Sequence, residues 1–237
     1  MKRAVLALLV PTLAAAQPAA PTPAQSLAKV EATYAKATEI AGSFTQIQLN
    51  ATFGTTTLSG GTFEVAKPDK LRFDYVNKKQ KPDKSFVFDG TTLWIEVPMN
   101  RRVTKTAAST SALPAAIGFL ANPGQLANDF TIAAPANKNH LVPGNIVLEL
   151  TPKQPSAVYK AIQLVIDPAT WTVPRSIVYA PSGDSMTYEL VGVNLAAKLP
   201  ANRFAYVAPK GYQVVIVGSS ATPATRPKPP TTPPKRP

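Results

Sequence analysis

The sequence predicts a mainly β protein with a few helices. Its core is a large antiparallel sheet of about ten or eleven strands, curled or closed into a barrel, a shape that can leave a cavity inside. Three observations lead there. Alternation of apolar and polar residues, the period of a half-buried strand, recurs in short stretches from Gly42 to Pro209. Turn signals separate most consecutive stretches, so neighbours pair as hairpins. Helical periodicity occurs in only two places, one ahead of the strands and one in their middle, where short helices can cover the open end of a curled sheet.

The first helix is expected from Ser26 to about Ile40, with Ser26 as N-cap, Gly42 as stop, and Leu27, Val30, Tyr34, Ala37 and Ala41 on one face. "GSFTQIQLNATF" and "TTLSGGTFEV" follow as strands, the second with a bulge at Gly60-Gly61. "KLRFDYV" is a third. "KSFVFDGTTLWIEVP" is a hairpin about Asp89-Gly90, and "RRVTKT" continues the sheet. Residues 107–130, rich in Ala and Leu and interrupted by Pro114, Gly118 and Pro123-Gly124, predict two short helices. Strands resume with "NIVLELTP", "YKAIQLVID", "TVPRSIVYA", "SMTYELVGVNL" and "RFAYVAP". Hairpins are expected about Asp167–Thr170 and Pro181–Asp184.

The ends lie outside this fold. Residues 1–16 place Lys2 and Arg3 before an apolar run that closes on Ala-Ala-Ala, the layout of a cleaved secretory signal. Residues 17–25 read as a Pro/Ala linker, 26–218 as the domain, and 219–237 as a basic, Pro-rich, disordered tail. The chain has no cysteine, hence no disulfide and no residue to carry a lipoprotein's acyl chains. An exported, unlipidated protein, soluble in the cell envelope, is therefore expected. The net charge is +12. Without the two cations of the signal and the four of the tail (Arg226, Lys228, Lys235, Arg236) the domain keeps +6. No stretch interleaves clustered cations with aromatics, so nucleic acid is not an expected partner.

Few residues suggest catalysis. His140 stands alone in a loop and is expected to be solvated. No cysteine or histidine set has metal-ligand spacing, and no nucleophile or phosphate-binding motif is present. The acids nearest one another, Asp69, Asp74, Asp83 and Asp89, would have to meet across strands to act as a pair. The expectation is a protein without enzymatic activity, metal or cofactor.

The chain does offer apolar sheet surface. Leu71, Phe73, Tyr75, Phe86, Phe88, Leu93, Ile95, Leu148 and Leu164 are the candidate walls of a lipid cavity, with Trp94, Ile146, Leu150, Ile162 and Ile166 as further interior positions. A packed core explains the same pattern.

Five segments in order, "AGSFTQ", "FEVAKPDKLRFDY", "FVFDGTTLWIEVPMNRRV", "LELTPK" and "NRFAYVAPKGYQVV", resemble the outer-membrane lipoprotein carrier family of LolA-like proteins, over about Ser26 to Val215. The resemblance implies an incomplete antiparallel β-barrel covered by a helical lid. Between them an apolar cavity would receive the acyl chains of lipoproteins. It also implies an inner-membrane lipoprotein-releasing ABC transporter as donor, an outer-membrane receptor or the outer membrane itself as acceptor, and a monomeric carrier. Leu27, Val30, Tyr34, Leu113, Ile117, Phe119 and Leu120 are the corresponding lid candidates. Lys67 stands where the family has an arginine that holds the lid by bonding its backbone. A lysine has three donors on a flexible stem in place of a rigid fork, and a solvated turn residue is the other reading. A lipid-binding or sensor protein of the same fold, and a scaffold acting through the basic tail, remain alternatives.

Overall fold

A computed structural model describes residues 20–107, 120, 124, 126–137 and 140–217. The expected signal peptide, the tail and the lid candidates Leu113, Ile117 and Phe119 lie outside them.

The first helix, α1 (Pro23–Ala35), begins earlier than Ser26 and ends earlier than Ile40. Its cap is Thr22. The Thr22 hydroxyl accepts the Gln25 N–H at 3.2 Å, and the Gln25 side-chain oxygen accepts the Thr22 N–H at 2.9 Å. This reciprocal box, with Pro23 at the first helical position, starts the helix inside the expected linker. Ser26 is buried within the helix. Leu27, Val30 and Tyr34 are buried along one face, each worth about 1.5–3 kcal/mol of transfer free energy.

Twelve strands form one open, unclosed sheet among the described residues. They are β1 (Glu39–Asn50), β2 (Thr55–Ala66), β3 (Lys70–Val76), β4 (Pro82–Phe88), β5 (Thr92–Val97), β6 (Arg102–Ala107), β7 (Phe130–Ala133), β8 (Ile146–Pro152), β9 (Ala161–Ile166), β10 (Arg175–Tyr179), β11 (Ser185–Asn194) and β12 (Gln213–Val217). Their spatial order is β12-β6-β5-β4-β3-β2-β1-β11-β10-β9-β8-β7. The hairpins expected about Asp89-Gly90, Asp167–Thr170 and Pro181–Asp184 join β4 to β5, β9 to β10 and β10 to β11.

Several expectations give way. Ala41 belongs to β1, not the helix. Pairing of Glu39, Ile40 and Ala41 with Ala66, Val65 and Glu64 overrides local helix preference. Gly60 and Gly61 stay in register with Thr45 and Phe44, so they form no bulge. They serve close approach instead: a Cβ on Gly61 would lie 1.9 Å from the Asp74 carbonyl oxygen. Phe130, placed at the end of a helical insert, opens β7 after a single turn of helix, α2 (Leu126–Asp129). Residues 203–209 are not a strand but an irregular strap. The strap crosses the outer face and delivers β12 beside β6 in parallel, an exception to the antiparallel pattern.

Two layers of packing result. On the inner face, residues of α1, β1–β5, β7–β9 and β11, with Leu120 and Leu126, form one continuous apolar cluster. One sheet can bring its distant strands to a single helix only by curling round it. On the outer face Phe204 of the strap is buried, as are Val87 and Val103 of the sheet. Tyr206 lies 5.3 Å from the Trp94 ring and donates to Glu96 at 2.8 Å. Arg203 pairs with Glu64 at 2.6 Å.

Candidate functional site

The site is the inner face of the curled sheet. On β3 the alternation of Leu71, Phe73 and Tyr75 points three side chains inward, each no more than 3% exposed. Register carries that face sideways: Leu71 opposes Phe88, Phe73 opposes Phe86, and these oppose Leu93 and Ile95 on β5. Leu148 and Leu164 oppose each other on β8 and β9. All nine candidate wall residues therefore share the inner surface. Trp94 does not; it faces outward under the strap.

Burial is graded along this surface. Leu71, Phe73, Phe88, Leu93, Leu148 and Leu164 are buried, while Phe86 and Ile95, one inward position further along, are half-buried at the cluster's margin. Val97 and Met186 are half-buried too. The face thus opens toward the end of the sheet that carries the β1–β2, β3–β4, β5–β6 and β10–β11 turns. Aromatic side chains line the route: Phe44 lies 5.0 Å from Phe73 and 4.8 Å from Tyr75, and Tyr75 lies 5.7 Å from Phe86.

The opposite end is held by α1. Tyr34 is fully buried, and its hydroxyl accepts the Val173 N–H at 3.0 Å. Burial pushes its pKa up to about 12. The Lys67 ammonium donates to the main-chain carbonyl of Tyr34, in the last turn of α1. That carbonyl also accepts the Ala37 N–H at 3.1 Å, and carbonyls at a helix C-terminus attract cations. The Lys67 N–H also donates to Thr38 O at 2.9 Å. The residue is thus both a turn residue and a tie to the helix. Burial lowers its pKa. Of the lid candidates, Leu27, Val30, Tyr34 and Leu120 all belong to the inner cluster.

The remaining candidate chemistry is structural. Asp74 sits on the outer face, bonded to Arg72 at 2.6 Å and Ser85 at 2.7 Å. Asp89 accepts the Thr91 and Thr92 N–H groups of its own turn at 2.9 and 2.8 Å. His140 is not a free loop residue: its Nδ1 meets Gln163 Nε2 at 2.6 Å and its ring stacks on Tyr179. The sequence reading overlooked Lys84. It shares the parity of Phe86 and Phe88 in "KSFVF" and opposes Tyr75 on the inner face.

No curated protein matches the sequence significantly. Among solved structures, an uncharacterized conserved protein from Thermus thermophilus is 12% identical over 82% of this chain and 98% of its own, with a TM-score of 0.50. A LolA superfamily protein from Nitrosomonas europaea is 12% identical over 78% and 98%, with a TM-score of 0.44. The Mycobacterium tuberculosis lipoprotein LppX is 10% identical over 74% and 98%, with a TM-score of 0.37. A family model, outer membrane lipoprotein carrier protein LolA, matches residues 35–207. That span runs from the end of α1 to the strap and takes in most of the inner face, so the chain belongs to the LolA family.

Proposed function

We propose that this protein is a periplasmic carrier that shields the acyl chains of lipoproteins on the inner face of its sheet and moves them to the outer membrane. The observation that carries the reading is the graded apolar face, continuous from α1 to the half-buried Phe86 and Ile95. A buried CH₂ contributes about 0.8 kcal/mol, so an anchor with tens of them faces a penalty on the order of tens of kcal/mol in water. Shielding such an anchor needs a large apolar surface. Releasing it needs that surface to close upon itself again. A face packed against one helix, with a margin already half open, meets both needs: α1 moves aside on loading and repacks on release. An inner-membrane lipoprotein-releasing ABC transporter would load the carrier. A receptor or the outer membrane itself would unload it. The role is binding, not catalysis, and a monomer suffices for it.

The test is extraction of lipid from protein purified out of the envelope, followed by mass spectrometry of extract and intact chain. The expected result is non-covalently bound acylated material on an unacylated protein. Protein free of acyl lipid, even when purified alongside overproduced lipoprotein, would overturn the reading.

A further inference from the structure

Toward the hairpin tips the inner face turns polar, which acyl chains alone do not require. Gln46 is only 6% exposed, and its side-chain oxygen accepts the Ser59 hydroxyl at 3.2 Å. The Tyr75 hydroxyl is bonded to Tyr188. Beside the Tyr75 ring, opposite it on β4, stands Lys84. Its Nζ lies 4.3 Å from the Tyr75 ring centroid and 5.2 Å from that of Phe86. The residue is half-buried, and among the described residues no carboxylate forms an ion pair with it. Asp83, its chain neighbour, is exposed at the irregularity where the β3–β4 register shifts and makes no ion pair with it. A cation held over two rings and in ion-pair contact with no carboxylate among the described residues has lost hydration that only part of its surroundings restores. Burial accordingly lowers its pKa, with Asp83 acting the other way.

We propose that Lys84 is a head-group site: it pairs with the anionic end, carboxylate or phosphate, of an amphiphile whose acyl chain lies along Phe86 and Phe73. The proposal rests on the acyl-binding reading and adds that the site selects charge. Two further observations favour an anion. The turn next to Lys84 carries Lys78, Lys79 and Lys81, and Arg102 ends the neighbouring inward row opposite Val97. Cations clustered at one opening raise the local concentration of anions. The polarity also runs in the right order, from apolar depth to hydroxyls and amides to a cation at the margin, as in an amphiphile.

The experiment is displacement of a pyrene-labelled methyl ester from the delipidated full chain by palmitate, methyl palmitate and palmitoyl lysophosphatidate, with the parent, Lys84→Met and Lys84→Arg. A charge-assisted hydrogen bond predicts that the parent prefers palmitate over its methyl ester by about tenfold. Lys84→Met should bind the methyl ester as the parent does and lose the preference, whereas Lys84→Arg should keep it. The lysophosphatidate arm tells which of the two anions the site prefers. An acid-to-ester ratio unchanged in Lys84→Met, or absent in the parent, overturns the proposal while leaving the acyl-binding reading intact. Failure of every lipid to bind the parent overturns both.

Discussion

At Lys67 a single contact crosses from a turn to a helix, and its partner is a carbonyl, not a carboxylate. Under the proposed carrier reading that choice matters. A hydrogen bond to backbone can be broken and remade without stranding a buried anion, and a lysine makes it with less directionality than an arginine. Lys67→Leu replaces it with apolar surface that favours the loaded state. The variant should accept labelled lipoprotein but release it to acceptor membranes about tenfold more slowly, while Lys67→Arg transfers at least as well as the parent. Equal transfer by the parent and Lys67→Leu would reduce the contact to a detail of the turn. Asp74 carries a different kind of expectation. Burial by itself would raise its pKa, but hydrogen bonds from Arg72 and Ser85 and the charges of Arg72 and Arg203 outweigh it, so the folded value is lowered. Its stabilisation is complete above the unfolded carboxylate value of about 3.9 and is lost as pH falls through the lower folded value. Melting temperature followed from pH 5 downward should therefore drop more steeply in the parent than in Asp74→Asn. Parallel curves would show that the strap's ion cluster is not what acid attacks.

At the scale of elements, alternation was the most informative signal. "KLRFDYV" runs from the first to the last residue of β3, and its inward residues follow from parity alone. The helix start was legible too, though misread: Thr22-Pro23-Ala24-Gln25 is a capping box with proline at the first position, hidden in a stretch whose composition suggested a linker. Other features were not legible because they depend on partners far away in the chain. Phe204 and Tyr206 alternate like a strand's residues, yet the segment lies across the sheet and does not join its ladder. Which of Trp94 and Ile95 faces inward depends on which face the strap covers. The inward parity of Lys84 could be read from the sequence, but its place over two rings could not. The glycine pair of β2 follows the same rule. No local pattern distinguishes a bulge from two strands pressed together; the unbroken register decides it, and a Cβ on Gly61 would lie 1.9 Å from Asp74 O. Gly61→Ala must push β3 away from β2, and the cost of such overpacking is about 1–3 kcal/mol or more. Chemical denaturation should show a lower midpoint for Gly61→Ala. A variant as stable as the parent would mean that β2 and β3 have room to part.

Across the whole molecule, the two faces of one sheet are packed differently. The outer face is closed for good by the strap, through Phe204, the Arg203–Glu64 pair and the Tyr206–Trp94 contact. The inner face is packed against α1 but half open at its margin. Trp94 and Ile95 are adjacent in β5 and stand on opposite sides of this division, so one strand can ask which face meets the acyl chain. A photo-reactive phenylalanine analogue placed at position 94 or 95, and irradiated in cells making radiolabelled lipoprotein, tests the carrier reading at its centre. The account predicts a cross-link to the acyl portion of the lipoprotein from position 95 and none from position 94. Acyl adducts from position 94 alone, or equally from both, would contradict it.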